Sequence, residues 1–200
     1  LASSAASDVY KRQLSLGAWG SVGVESKDAK EFDLTIGYSI GGFSVSITDY
    51  WFDKTYTGDV DEYGKEIYTT NKYFQYGAYS TAHVFEAQVG YDFGLLSVNW
   101  YTNFAGADGV KENGKRAYSS YLALSAPFKL GALDWTVDLG VVPWETTFYN
   151  GYTSGFCVSD VSLGASKDIK ITDSFSVPVF AKVSVNPRTE GAYFLSLIHI

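Results

Sequence analysis

Leu133-Asp134-Trp135-Thr136-Val137-Asp138-Leu139-Gly140-Val141 alternates without a break between large apolar side chains and polar or small ones. On an extended strand, successive side chains point to opposite faces. Leu133, Trp135, Val137, Leu139 and Val141 therefore share one face, and Asp134, Thr136, Asp138 and Gly140 the other. A helix, with its period of about 3.6, would mix the two sets. The pattern recurs on both sides of this stretch. Phe32, Leu34, Ile36, Tyr38 and Ile40 oppose Asp33, Thr35, Gly37 and Ser39. Phe85, Ala87, Val89, Tyr91 and Phe93 oppose Glu86, Gln88, Gly90 and Asp92, while Leu96, Val98, Trp100 and Phe104 oppose Ser97, Asn99, Tyr101 and Asn103. Weaker alternation marks 14–24, 43–51, 117–128, 158–167 and 175–185, and a last strand starts near Gly191. The pattern predicts ten strands and no amphipathic helix between them.

The connections alternate as well. Gly41-Gly42 suits a two-residue hairpin, whose turn needs positive φ, and the turns near 92–95, 129–132 and 168–173 are also short. The intervening set is generally longer, at 53–82, 106–115 and 143–156, with shorter members at 25–30 and 186–190. Short turns on one side and longer loops on the other are the layout of a bacterial outer-membrane barrel. The expected fold is therefore all-β, an antiparallel up-and-down transmembrane β-barrel.

Composition points the same way. Aromatic residues make up 17% of the chain and charged residues only 18%, against about 25% charged in soluble domains. No apolar run approaches the ~20 residues of a membrane helix. The net charge of −7 argues against a nucleic-acid surface, which needs basic patches. Aromatic residues on the apolar faces gather near strand ends: Trp51, Phe104 and Tyr118 towards the long loops, Tyr91, Phe93 and Phe128 towards the short turns. These are candidates for the two girdles at a lipid–water boundary. The competing architecture is a soluble antiparallel barrel or sandwich that binds a ligand. Its wet face would be unusually poor in charge here, since the polar faces are mostly Ser, Gly, Thr, Asn and single acids.

In a membrane barrel the polar faces turn inward. The candidate pore-lining row is Asp33, Glu86, Gln88, Asn99, Tyr101, Asn103, Asp134, Asp138 and Lys182. Four acids against one base favour cations, as rings of acids do in pores. The partners expected are outer-membrane lipid and small polar or cationic solutes. The alternative is a closed interior in which the same side chains bond to one another. Trp19, Tyr121 and Phe180 share that face and would narrow any path.

Catalytic residues are not expected. His83 lies in Ser80-Thr-Ala-His-Val-Phe-Glu86, but its odd spacing from Glu86 puts the two on opposite faces of a strand. An outer-membrane lipid-modifying enzyme using His83 is the alternative; a histidine at the loop end of a strand, at the membrane rim, is the plainer reading. Cys157 and His83 have no companions for a zinc site. Asp59-Val-Asp-Glu-Tyr-Gly64 has part of a calcium-loop spacing, but Tyr63 and Thr70 stand where acidic or amide ligands belong. No metal and no cofactor are expected.

The two ends stand apart. Asp8-Val-Tyr-Lys-Arg-Gln13 back-translates to codons whose reverse complement reads Leu195-Ser-Leu-Ile-His-Ile200, and the pair resembles a transposase end used in sequencing adapters. Residues 1–13 and 195–200 are therefore expected to be adapter-derived tails flanking a barrel fragment at 14–194.

SLGAWGS (15–21), EFDLTIGYSIGGFSVSITDYW (31–51), FEAQVGYDFG (85–94), AYSSYLALSAPF (117–128) and ITDSFSVPVFAKVSVNP (171–187) resemble the TorF-type porins. These are outer-membrane proteins of Bacteroides-like bacteria, and the resemblance covers essentially all of 14–194. It implies an outer-membrane location, a signal peptide ahead of this segment, and about twelve strands in the full protein. The resemblance consists of strand patterns and brings no functional residues with it.

Overall fold

The computed structural model describes residues 12–23, 29–78, 80–149 and 155–198. Among these residues all twelve regular elements are strands: β1 (Arg12–Ser21), β2 (Glu31–Ile40), β3 (Phe43–Phe52), β4 (Lys54–Val60), β5 (Glu66–Thr70), β6 (His83–Asp92), β7 (Ser97–Gly106), β8 (Ser120–Leu130), β9 (Leu133–Val142), β10 (Cys157–Thr172), β11 (Phe175–Asn186) and β12 (Gly191–Ile198). Ten of them form one sheet in the order β1-β2-β3-β6-β7-β8-β9-β10-β11-β12, so β1 and β12 are its edges. Main-sheet neighbours are consecutive in sequence except where β4 and β5 intervene, which is the up-and-down order expected. β4 and β5 pair only with each other, as a hairpin inside the expected loop 53–82. They are not the further strand pair that a count of about twelve requires. Among the described residues no helix is long and apolar enough to cross a membrane, which says nothing of crossing by strands.

Gly41-Gly42 forms the two-residue turn expected, and the turns expected at 129–132 and 168–173 are tighter than the sequence suggests. Gly41 takes φ +58° in its two-residue turn, a conformation that costs glycine little and other residues more. β8 runs on to Leu130, opposite Leu133, and leaves Gly131-Ala132 as the turn. The turn expected at 168–173 is corrected: the ladder continues to Thr172, opposite Phe175, with a bulge between Lys170 and Thr172. Lys167, Asp168 and Lys170 mimic a turn in composition, yet Ile169 and Ile171 keep the alternation going. At the other end, the strand expected from 117 begins at Ser120. Tyr118 takes φ +49°, outside the extended region, and the Trp144 indole N–H donates to the backbone carbonyls of Ala117 and Tyr118.

Of the expected tails, 1–11 and 199–200 lie outside the described residues, as do parts of the loops at 25–30 and 143–156. Arg12 and Gln13 extend β1 opposite Ile40 and Ser39, and 195–198 extend β12 opposite β11 as far as Val179. Ladder hydrogen bonds run between backbone groups, so alternating residues can continue a strand whatever their origin.

Two compact units divide the chain, Leu1–Val89 with Thr102–Gly109, and Gly90–Tyr101 with Val110–Ile200. In the first, Trp19 pairs with Asp33, Asp33 with Tyr50, and Thr35 with Thr48, all on the polar face. In the second, Asp138 stands between Ser125 and Ser162, and Ser162 pairs with Ser184. A bulge between Val158 and Asp160 gives β10 one extra residue, Ser159.

Burial runs against hydropathy. Ile36 and Val183 on the apolar faces are each 49% exposed, whereas Asp33 is 8% and Ser162 3% exposed on the polar faces. Buried polar residues outnumber buried apolar ones among those described; Val84, Ala117, Val141 and Val142 are the buried apolar side chains. A soluble domain buries its aliphatic residues and leaves polar ones wet.

Candidate functional site

The polar face of the first unit carries a ladder of paired hydroxyl, amide and carboxylate groups. The Ser46 hydroxyl donates to Gln88 Oε1 (3.0 Å), and Gln88 Nε2 donates to Ser44 Oγ (3.3 Å). The Tyr50 hydroxyl donates to Glu86 Oε1 (3.1 Å), and the Thr35 and Thr48 hydroxyls lie 2.9 Å apart. Asn103 donates from Nδ2 to Asp108 Oδ1 (3.2 Å). Asp33 and Asn103 each keep one buried side-chain oxygen, Oδ1, with no hydrogen-bond partner. Such orphaned acceptors cost about 1–3 kcal/mol each.

The second unit holds a denser network. Lys182 Nζ donates to Asp138 Oδ2 (2.8 Å), and the Ser125 hydroxyl to Asp138 Oδ1 (2.6 Å). The Ser162 hydroxyl lies 3.0 Å from Asp160 Oδ2 and 3.4 Å from Asp138 Oδ2, and the Ser184 hydroxyl also bonds Asp160. The Tyr121 ring passes over Gly140, where any Cβ would meet its hydroxyl, so only glycine leaves room for it. Tyr101 and Tyr149 flank Tyr121, with ring centres 6.4 and 5.6 Å away.

The predicted pore row thus divides. Asp33, Glu86, Gln88 and Asn103 lie on the polar face of the first unit, and Asn99, Tyr101, Asp134, Asp138 and Lys182 belong to the second. Asp138 is neutralised by Lys182, and Asp134 meets Lys129 (3.1 Å) at an exposed turn. Two of the four acids therefore have cationic partners. Tyr50 also lies on the polar face of the first unit and Asp160 on that of the second, where the alternation of Asp160 and Ser162 with Val161 and Leu163 is the signal that marks it.

The girdle candidates are variously placed. Tyr91 and Phe93 pack together at 4.5 Å, Phe128 stacks on Trp135 at 6.2 Å, and Phe104 lies 6.4 Å from Phe85. Trp51 lies under Tyr73, at 5.3 Å. Tyr118 is an exposed loop residue beneath Arg116.

His83 and Asp49 interrupt the apolar face of the first unit. Asp49 follows Ile47 and precedes Trp51 on that face, an acid out of pattern, and His83 shares its face with Phe85. The His83 ring is 0% exposed. Its Nδ1 lies 2.6 Å from Asp49 Oδ1 and its Nε2 2.6 Å from the Tyr73 carbonyl oxygen. Tyr76 stacks on the ring at 4.3 Å. The Tyr76 phenol is pushed up to about 12, first by partial desolvation and then by the hydrogen bonds and charges of Tyr73 and Asp49. Glu86 points to the opposite face and bonds Tyr50, so no Ser80–His83–Glu86 constellation forms. With Nε2 held by a backbone carbonyl, the ring has no nitrogen turned to a nucleophile.

Asp61 in the calcium-like segment serves the hairpin tip, where Oδ1 accepts from the Tyr63 and Lys65 amides, each at 2.9 Å. Among the described residues no three His, Cys, Asp or Glu side chains converge as metal ligands. Comparison with protein-family models, curated proteins and solved structures finds no match.

Proposed function

We propose that this chain is wall of an outer-membrane β-barrel, a porin of the TorF type whose polar face lines a path for small polar solutes. One observation carries the reading: Ile36, Val137 and Val183 on the aliphatic faces are exposed while Asp33, Asn103 and Ser162 on the polar faces are buried, the reverse of a soluble sheet. Lipid would cover Ile36, Val137 and Val183, and the side turned from lipid would carry Asp33, Glu86 and Asn103 in the first unit and the Asp138–Lys182 network in the second. With Asp134 and Asp138 compensated, any cation preference rests on Asp33, Glu86 and Asp160.

A structural barrel is the second reading, favoured by the network around Asp138 and Asp160, which bonds mainly to itself. Spin labels attached one at a time, in a Cys157→Ser background refolded in micelles, test the membrane reading. Labels at Ile36, Val137 and Val183 should meet dissolved oxygen, and labels at Thr136 and Ser162 a water-soluble nickel chelate. The opposite accessibility would point to a soluble β-domain. Solute uptake by liposomes carrying the complete barrel then separates open path from structural wall.

A further inference from the structure

The face of β2, β3 and β6 that carries Leu34, Ile36, Ile47 and Phe85 changes character along its length. At one level it is an apolar groove of about 390 Å³, lined by those four side chains and Leu16 and reaching Asp49. Beyond Asp49, the segment 71–78 lies across the same face. Tyr73 packs edge-on against Phe32 and Trp51, at 5.8 and 5.3 Å, and its carbonyl oxygen meets the His83 ring. Asn71 opens the segment by donating from Nδ2 to the Phe52 carbonyl and to Thr55 Oγ1, each at 2.9 Å, where β3 gives way to β4. The β4–β5 hairpin adjoins this point and carries Asp59, Asp61, Glu62, Lys65 and Glu66. The order is thus aliphatic, aromatic, charged.

Two physical limits bracket the segment. It belongs to no ladder, and irregular backbone turned to hydrocarbon leaves N–H and C=O groups that lipid cannot satisfy. It therefore stays out of the hydrocarbon core. Yet Phe74 is 87% and Tyr76 49% exposed, and aromatic side chains beside an aliphatic band favour the headgroup layer over bulk water.

We infer that segment 71–78 is an interfacial anchor, a strap that lies in the lipid headgroup layer and marks where the hydrocarbon ends along β2, β3 and β6. The inference rests on the membrane reading of the aliphatic face and adds the level at which that membrane stops. The partner is the headgroup region of the bilayer, which accepts aromatic rings and open backbone groups together. Lys72, exposed on the same segment, supplies a cation at the level of the headgroup phosphates. The strap also shields Asp49, whose side chain is 16% exposed, from hydrocarbon. Trp51, a girdle candidate by sequence, lies beneath Tyr73, so Phe74 and Tyr76 hold the outer position from outside the sheet.

Depth-dependent quenching on the whole chain in micelles tests the anchor. Phe74→Cys, Ile36→Cys and Glu62→Cys, each in the Cys157→Ser background, carry a fluorophore. The micelles contain phosphatidylcholine with a nitroxide either on its headgroup or at mid-chain. The headgroup nitroxide should quench the label at position 74 about twofold or more strongly than the mid-chain one, with the order reversed at position 36. The label at position 62, near the hairpin tip, should escape both. Stronger mid-chain quenching at position 74 would put the strap in hydrocarbon and overturn the anchor. No quenching at position 74, with position 36 still quenched from mid-chain, would put the strap in water; the anchor then fails and the membrane reading stands. A label at position 36 that neither nitroxide reaches removes the membrane reading and the anchor with it. Ala78→Cys, also exposed, repeats the measurement should Phe74→Cys fail to refold.

Discussion

At the scale of single residues, Lys182 has the most consequential position. Its ammonium lies 2.8 Å from Asp138, and the two side chains are 27% and 24% exposed. Such a half-buried pair is worth little against a well-packed apolar substitute, but removing one member strands the other. Lys182→Met should therefore destabilise the folded chain by about 1–3 kcal/mol, as expected for a buried group left without its partner. Adding Asp138→Asn to Lys182→Met should recover most of the loss, because the stranded group is then neutral. Denaturant unfolding in micelles measures both, and a double variant no better than the single one would remove the pair from the account. Lys129–Asp134, at an exposed turn, has no such leverage. Asp49 and His83 show how much one misplaced polar residue can organise, for the pair ties a loop segment to a face that is otherwise apolar.

At the scale of elements, β9 is the clearest case of a strand with two environments. Val137 is exposed on its apolar face, while Thr136 and Asp138 belong to the polar face. A lysine at Val137 would have to enter hydrocarbon or detergent, at about 2–4 kcal/mol near a bilayer midplane. The same lysine at Thr136 would join Ser125, Asp138 and Gly164 territory, and should cost far less. Unfolding midpoints of the two variants in micelles decide this, with equal losses speaking for a sheet wet on its apolar side. The β10 bulge fits the same logic: Ser159 takes the extra position, and Asp160 and Ser162 return to the polar face opposite Gly140 and Asp138. β4 and β5 stand outside this scheme, since their short ladder ends in the Asp61-capped tip.

At the scale of the whole molecule, the two edges matter most. Among the described residues β1 and β12 each lack a neighbour on one side, and Leu14, Leu16 and Phe194 are widely exposed there. Unpaired backbone groups cost several kcal/mol each in lipid. These 200 residues should therefore fail to give a heat-modifiable, protease-resistant monomer in bilayers unless further strands or another chain pair with those edges. Such a monomer, formed by this chain alone, would contradict the open sheet or the membrane reading.

The alternation at 32–40, 85–93 and 133–141 was enough to set strand positions, the two faces and the up-and-down order, because side-chain direction on a strand depends on sequence position alone. Gly41-Gly42 likewise fixed its hairpin, since a two-residue turn of that kind needs positive φ. Partners across strands were not legible. That Asp138 meets Lys182, 44 positions away, depends on register across β9, β10 and β11, including the Ser159 bulge. The ends of β8 and β10 were misread because composition cannot distinguish a charged strand end from a turn, or an aromatic strand start from a loop at positive φ. The enclosure of His83 was hidden for the same reason. Its two acceptors come from β3 and from a loop carbonyl, and no spacing in the chain brings those three together. Local alternation is written residue by residue, whereas pairing over long separations exists only once the ladders have closed.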